Sequence, residues 1–294
     1  MKIVVFYYTQ SGQALEAAKR IFGKGEVVYK QIVPEQAYPF PWSTYEFFDA
    51  FPETRLLLPP SGILPLDLTD VGDADLVAVV GQSWYLSPSL PLQSFFADEQ
   101  VRSYLRGRKV VFVNVCRNMW LMTSRWLKST LSDLQARLVG HIVLQDNHPN
   151  LVSAATIVRW LLHGRKEASG LLPKAGVSET DIQGASRFGD ILRRAVTDDN
   201  YDHLQDDLLA AGAIKYKPSV LQIEKIGHRM FGLWAPFIRK KGGFGAPERR
   251  PRVMFFYRYL VFALFFVSPF VQLLFLLTSP LRGIGRNRRI DCSV

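Results

Sequence analysis

The sequence predicts an α/β fold with a five-stranded parallel sheet. Five runs rich in apolar, β-branched or aromatic residues have the composition of strands: residues 2–8, 26–33, 76–80, 110–115 and 140–144. Most of these runs are unbroken, which is typical of strands buried on both faces of a parallel sheet. Helical spacing occurs at residues 14–22, from about 92, at 120–137 and at 151–162. This alternation of strands and helices predicts an open sheet with strand order 2-1-3-4-5.

The first strand leads directly into a turn and a helix that together suit an anion. The turn consists of Thr9-Gln10-Ser11-Gly12-Gln13. The free N–H groups and the positive dipole end of the helix would face whatever lies in that turn. The turn has neither the lysine of a triphosphate loop nor the three glycines of a dinucleotide loop. It predicts either a site for one phosphate, held by the hydroxyls of Thr9 and Ser11, or an ordinary helix cap.

These residues resemble the phosphate loop of the flavodoxin-like FMN proteins, T-x-[ST]-G-x-[ST], with Ala14 in place of the last hydroxyl. A second match lies at residues 75–96, where a strand is followed by Gly81-Gln82-Ser83-Trp84-Tyr85-Leu86-Ser87-Pro88-Ser89-Leu90-Pro91. That segment resembles the loop that flanks the flavin ring in the family. The general resemblance covers about the first 165 residues. It implies that this chain binds FMN, with the phosphate at the first loop and the ring at the second.

The resemblance also implies how the ring is held. Residues Gln82, Ser83, Trp84, Tyr85 and Leu86 are expected to flank it, and Trp84 or Tyr85 to stack on it. The alternative for Trp84 is an ordinary core tryptophan.

A closer similarity is to the flavodoxin-like enzymes of bacterial dialkylresorcinol biosynthesis. It is carried by residues 7–13, 39–42 and 47–52 and by the overall length of the chain. This similarity implies oxidative aromatisation of a lipid-like ring, and a neighbouring ketosynthase as a partner.

Polar residues also follow the fourth and fifth strands, at the sheet edge where ligands bind in open α/β folds. Cys116, Arg117 and Asn118 follow the fourth strand and are expected to face the flavin from the other side. Cys116 is either a reactive thiol or, as we expect, a small buried residue. His148 follows the fifth strand and is the best-placed acid or base. The candidate catalytic residues are therefore His148, Tyr85 and Arg117.

The chain contains two segments that a minimal fold of this kind lacks. Residues 34–68 are rich in proline and aromatic residues, and they predict either a lid over the flavin or an additional packing layer. Residues 166–213 predict a helical extension after an FMN domain at residues 1–165. The acids around His203 have the spacing of a solvated helical face, so we expect no metal site.

The basic character of the chain belongs to residues 214–294. These hold 15 Lys and Arg against 3 Asp and Glu, whereas the preceding 213 residues hold 21 against 23. Residues 259–281 carry no charge and are flanked by arginines. At about 1.5 Å per residue this run is long enough to cross a bilayer of about 30 Å. Pro269 and the two basic flanks favour a hairpin or in-plane segment on anionic lipid.

The alternatives for this tail are a buried core or dimer helix and, less favoured, a nucleic-acid contact, which would leave the apolar run unexplained. Two cysteines provide no disulfide framework, and we expect a location on the cytoplasmic face of the inner membrane.

Together these features give a functional hypothesis. We expect an FMN-dependent oxidoreductase that aromatises a dialkyl cyclohexanedione to a dialkylresorcinol, an activity implied by the resemblance. One alternative is a membrane-bound NAD(P)H:quinone reductase or a flavodoxin-type electron carrier. Another is an FMN-free scaffold that assists a ketosynthase, which Ala14 would favour.

Overall fold

The computed structural model describes residues 2–23, 25–215, 218–267 and 270. Its strands are β1 (Lys2–Tyr7), β2 (Glu26–Gln31), β3 (Leu76–Gly81), β4 (Ser83–Trp84), β5 (Ser87–Pro88), β6 (Lys109–Cys116) and β7 (Arg137–Gln145). Five of them form one parallel sheet in the order β2-β1-β3-β6-β7, and β4 pairs with β5 in a short antiparallel ladder. The predicted strand order 2-1-3-4-5 is therefore confirmed.

The helices of the described residues follow the predicted alternation. They are α1 (Gln13–Phe22), α2 (Thr44–Asp49), α3 (Phe51–Leu56), α4 (Leu90–Ala97), α5 (Glu99–Leu105), α6 (Leu121–Asp133), α7 (Asn150–His163), α8 (Glu179–Gly184), α9 (Ser186–Thr197), α10 (Leu204–Ala210), α11 (Pro218–Arg239) and α12 (Arg250–Phe262). A 3₁₀ turn, Pro247–Arg249, precedes α12, and a π-helical turn, Ala263–Val267, follows it.

Some predicted boundaries were wrong. The helix expected at residues 120–137 ends at Asp133, because Gln135 adopts a left-handed φ of 57° and the chain then turns into β7. The segment 34–68 holds two consecutive helices, α2 and α3, and α3 has a proline in its first turn.

Both faces of the sheet are covered, as the unbroken apolar strands predict. Along β1, Ile3 and Val5 belong to the core on one face, whereas Val4 and Phe6 belong to the core on the other. The first core includes α1 and the helices of residues 166–213, and the second includes α4, α5 and α6. The predicted helical extension is thus present, and it completes the core on one face of the sheet.

The helices α11 and α12 pack on the segment that follows β2. Phe256 of α12 stacks on Phe51 of α3 with ring centroids 3.8 Å apart and an interplanar angle of 13°. Nearby, the fully buried Arg249 binds Asp49 through Nε at 2.6 Å and Glu53 through both terminal nitrogens at 2.7 and 3.0 Å. Two segments nearly 200 positions apart are therefore joined by both apolar packing and buried charge.

Only the first part of the predicted membrane segment, residues 259–281, lies mainly within the described residues. Within the described residues, no helix combines the length and the apolar character needed to cross a bilayer. Of residues 259–281, positions 268, 269 and 271–281 lie outside the described part of the chain.

Candidate functional site

A cleft of about 170 Å³ opens at the carboxyl ends of β1, β3 and β6. Its wall is formed by Gln10, Ser11, Gln13, Trp42, Phe47, Ala50, Gln82, Ser83, Trp84, Tyr85, Val115, Cys116, Arg117, Ile157, Trp160, Leu161, Gly176 and Val177. The strand order reverses between β1 and β3, and a sheet of this order binds ligands at that switch point. The two loops singled out in the sequence therefore meet at one cleft.

The first loop presents unsatisfied hydrogen-bonding groups. The side-chain oxygen Oγ1 of Thr9 is buried without a hydrogen-bond partner in the described structure. Gly12 precedes α1 with a left-handed φ of 88°, and no side chain caps the helix. The space in which a Cβ at Gly12 would lie is open. A buried hydroxyl without a partner and uncapped helix N–H groups fit a phosphate.

The amide side chains of the same loop have other partners. Gln10 donates from Nε2 to the carbonyl oxygen of Pro39 at 2.8 Å and accepts from the hydroxyl of Tyr8. Gln13 donates to the carbonyl oxygen of Val177 at 2.9 Å and accepts from its N–H at 3.2 Å. Both glutamines therefore fix the surrounding loops through their side chains, and their backbone N–H groups remain for a ligand.

The second loop contributes an indole surrounded by other rings. Trp84 makes edge contacts with Tyr8, Tyr38 and Trp42, whose ring centroids lie 5.9, 5.3 and 5.8 Å away. Its Nε1 donates to Oε1 of Gln82 at 3.3 Å. Neighbouring rings hold the indole in place at the cleft wall.

Two further tryptophans of this wall, Trp42 and Trp160, were not predicted as residues of the flavin site. Trp42 lies in the segment 34–68, which was considered as a lid over the flavin, and within residues 39–42, which carry the closer resemblance. Trp160 lies within α7, and its position on that helix is the one expected of an ordinary core residue.

The turn between β4 and β5 fixes Tyr85 and Leu86. Both residues have left-handed backbone conformations, with φ values of 47° and 61°. The hydroxyl of Tyr85 donates to the carbonyl oxygen of Phe47, and burial, together with the charge of Asp49, raises the pKa of Tyr85 well above its usual value. Tyr85 therefore keeps its proton and forms part of the wall, whereas Leu86 packs into the core beside α12.

The third loop brings one cation to the cleft. Arg117 is half-buried, and its Nη1 donates to the carbonyl oxygen and to Oδ1 of Asn150 at 3.0 Å each. Asn118 donates to the same Oδ1 at 3.4 Å but lies outside the cleft lining. Burial raises the pKa of the adjacent Cys116 thiol. Cys116 is therefore the small buried residue that we expected, and Arg117 carries the charge.

His148 lies at the carboxyl end of β7, but it is not among the described residues that line the cleft. Its Nδ1 is 2.7 Å from Oδ1 of Asp146, and its backbone N–H donates to the same oxygen at 2.9 Å. The other carboxylate oxygen of Asp146 accepts from Ser153 at 2.6 Å. The structure therefore groups His148 with Asp146 and Ser153, and not with Trp84 and Arg117.

A buried carboxylate behind the third loop was also missed. Glu224 of α11 is fully buried, and its Oε1 accepts from the N–H of Met122 at 2.8 Å. Its second oxygen has no hydrogen-bond partner in the described structure. Burial raises the pKa of Glu224 to about 7, although the N–H groups at the start of α6 and the charge of Arg117 oppose the shift.

The aromatic segment 34–68 contributes both to the cleft wall and to packing against the C-terminal helices. Trp42, Phe47 and Ala50 line the cleft, whereas Phe48 and Phe51 pack against α11 and α12. The segment is thus a cleft wall that is held from behind by the C-terminal helices.

Comparisons with known proteins give only structural similarities. No protein-family model matches the sequence, and no curated protein matches it. The structure is similar to a flavodoxin from the domain Archaea (TM-score 0.38, 14% identity, 67% of this chain and 99% of that one). It is also similar to a flavoprotein in complex with FMN from Lactobacillus acidophilus NCFM (TM-score 0.41, 17% identity, 48% of this chain and 92% of that one). A third similar structure is a flavodoxin, WrbA-like protein from Agrobacterium tumefaciens (TM-score 0.38, 12% identity, 67% of this chain and 98% of that one).

Proposed function

We propose that this protein is an FMN-dependent oxidoreductase that aromatises a lipophilic cyclic dione, specifically a dialkyl cyclohexanedione, to a dialkylresorcinol. The observation that carries the cofactor assignment is the unpartnered, buried Oγ1 of Thr9 beside the uncapped start of α1, at the sheet's switch point. The specific reaction rests on the sequence resemblance.

The residues at the cleft divide between the two ends of FMN. Ser11 of the cleft wall, the first N–H groups of α1 and the adjacent Thr9, which is not among the described lining residues, would hold the phosphate. Trp84 and Trp42, whose rings contact each other, would form one wall beside the flavin ring. When bound, FMN supplies an acceptor for a hydride.

The remaining wall suits a lipophilic ring with an acidic oxygen. Phe47, Ile157, Trp160 and Leu161 provide apolar surface, and Arg117 is the one cation among the described lining residues. A 1,3-dione readily forms an enolate, and a partly desolvated guanidinium stabilises such a charge. Oxidation removes one hydride and one proton from the ring, and enolisation then gives the resorcinol.

The first experiment is a spectrum of the purified full-length protein, followed by anaerobic mixing with a dialkyl cyclohexane-1,3-dione. We expect flavin absorbance, bleaching by the dione alone, and one resorcinol for each flavin reduced. Bleaching by NAD(P)H but not by the dione would instead support a quinone reductase. Protein that neither retains nor binds FMN would support the scaffold function and overturn the proposal.

A second experiment tests the phosphate end of the site through Thr9. Thr9→Val should weaken FMN binding about ten- to hundredfold, because a hydrogen bond to a charged group contributes about 1.5–3 kcal/mol. The matched variant Thr9→Ser keeps the hydroxyl and should bind within about threefold of the unmodified protein. Fluorescence titration with FMN measures both affinities.

The stability of the same variants without FMN distinguishes a ligand group from a structural one. The hydroxyl of Thr9 has no partner in the described structure, so Thr9→Val should not lower the free energy of unfolding. Equal FMN affinity in the valine and serine variants would contradict the assignment of Thr9.

A further inference from the structure

The outer face of α11 and α12 exposes an unusual number of large apolar side chains. Leu233, Phe255, Phe262 and Phe266 are 67%, 57%, 55% and 68% exposed, and Phe237 is also exposed. We call these five residues the aromatic face. Single exposed apolar residues are common, but a contiguous group of this size marks a surface that binds something.

The aromatic face is continuous across the two helices. Trp234 contacts Phe237 and Phe255, with ring centroids 5.8 and 5.2 Å away, and Phe262 stacks on Phe266 at 5.2 Å. It cannot turn inward, because the opposite side of α12 is already fixed by the stacking of Phe256 on Phe51. The exposure of Phe255 and Phe262 is therefore built into the packing of the helix.

Cations occupy the same helical stripes as the exposed apolar residues. On α11, Arg229, Leu233 and Phe237 follow at intervals of four, and the exposed Lys240 and Lys241 come next. On α12, the exposed Arg258 lies between Phe255 and Phe262. Within the described part of the chain, no ion pair involves any of these four cations. Apolar rings beside long basic side chains suit the boundary between acyl chains and anionic headgroups.

We propose that the aromatic face binds the surface of an anionic lipid bilayer, with α11 and α12 lying in the plane of the interface. A second copy of the chain is a poorer occupant, since a two-fold interface would bring the same basic stripes together. The half-buried rings of Trp234, Tyr257 and Tyr259 are of the type enriched at membrane interfaces.

The position of the aromatic face also deepens the proposed function, on which this step rests. Tyr85 lines the cleft and lies 5.3 Å from Phe51, which stacks on Phe256 of α12. Two buried rings, Phe51 and Phe256, thus connect the cleft wall to the inner side of α12, and the outer side of α12 is the surface assigned to the bilayer. Binding of this surface would hold the cleft near the lipid in which a lipophilic dione dissolves.

The test is flotation of the full-length protein with vesicles, without FMN or substrate. The vesicles contain either phosphatidylcholine alone or phosphatidylcholine and phosphatidylglycerol at a molar ratio of about 3:1. We expect binding to the mixed vesicles that weakens as salt is raised. The double variant Phe255→Ser/Phe262→Ser should bind at least about tenfold more weakly, because two partly buried aromatic side chains are lost.

Two further variants complete the design. Leu64→Ser removes a side chain that is 49% exposed on the segment after β2, and it should bind like the unmodified protein. Lys240→Glu/Lys241→Glu should lose the preference for phosphatidylglycerol. Circular dichroism and thermal unfolding verify that each variant is folded.

Undiminished binding of the folded Phe255→Ser/Phe262→Ser variant would overturn the proposal, because another part of the chain would then be the anchor. A concentration-dependent dimer that this variant abolishes, without any vesicle binding, would also overturn it. Because the assay requires no flavin, loss of the proposed enzymatic function would leave these outcomes unchanged.

Discussion

At the residue scale, several side chains beside the cleft form hydrogen bonds within the protein and not to a ligand. Gln13 donates to the carbonyl oxygen of Val177, and the hydroxyl of Tyr85 donates to that of Phe47. Arg117 donates to the carbonyl oxygen of Asn150. Each bond fixes a loop or a charge beside the cleft. The groups proposed for the ligand are the hydroxyls of Thr9 and Ser11, the first N–H groups of α1 and the guanidinium of Arg117.

Glu224 gives a pH-dependent prediction at this scale. Its pKa is raised from 4.5 to about 7 by burial, so the folded protein holds a proton that the unfolded chain releases above pH 4.5. This contribution to stability is fully present below pH 4.5 and is lost as the pH rises through 7. Glu224→Gln, which stays neutral, should therefore be more stable than the unmodified protein by about 3 kcal/mol at pH 8 and by under about 1 kcal/mol at pH 5.

Urea unfolding at the two pH values measures this difference. The exposed Glu248 provides the matched control, since Glu248→Gln should change stability little at either pH. A Glu224→Gln effect of equal size at both pH values would show that Glu224 does not titrate in this range.

At the element scale, close approach between helices sets the packing of one face of the sheet. A Cβ added at Gly189 of α9 would lie 1.9 Å from the carbonyl oxygen of Ile21 in α1. The helices of the extension can therefore reach α1 only with a glycine at this position.

Gly189→Ala should lower the free energy of unfolding by about 3 kcal/mol through this overlap. Helix propensity alone would predict the opposite, a gain of about 1 kcal/mol. Gly72→Ala is the control, since a Cβ there meets nothing within 4 Å, and its effect should stay within about 0.5 kcal/mol. Chemical denaturation of both variants gives the comparison, and a stabilised Gly189→Ala would contradict the close packing.

At the scale of the whole molecule, the cleft wall depends on contacts between distant parts of the chain. Asp49 and Glu53 lie within the segment 34–68 and are both buried against Arg249, and Arg239 also contacts Glu53 at 2.6 Å. Arg239 at the end of α11 and Arg249 in the 3₁₀ turn thus supply the positive charges that pair with these two buried carboxylates.

Arg249→Met should destabilise the protein by about 3–5 kcal/mol, because it leaves these carboxylates buried without their main partner. The exposed neighbour Arg250 offers a matched control, and Arg250→Met should cost under about 1 kcal/mol. Denaturant midpoints of the two variants measure the difference. Equal midpoints would mean that the network around Arg249 does not hold the wall segment in solution.

The five sheet strands, their order and the two loops that meet at the cleft were all predicted from the sequence. These features depend on apolar runs and on turns within about ten residues, so their signal is local. The ends of α6 and β7 were misplaced, because a left-handed residue such as Gln135 leaves no periodic signal. Trp160 of the cleft wall and Glu224 behind the third loop were missed, because each comes to lie there only through contacts with distant segments.

The sequence by itself determined that the chain builds a parallel sheet with a strand–turn–helix unit at its edge, since short-range composition specifies strands, turns and helix starts. Only the tertiary structure decided that Phe256 is buried while Phe255 is exposed, and that His148 pairs with Asp146 away from the cleft lining. The burial of Phe256 depends on its contact with the distant Phe51, and the composition of the cleft lining depends on which distant segments meet at the sheet edge. Those contacts follow from packing over the whole molecule, which no local pattern encodes.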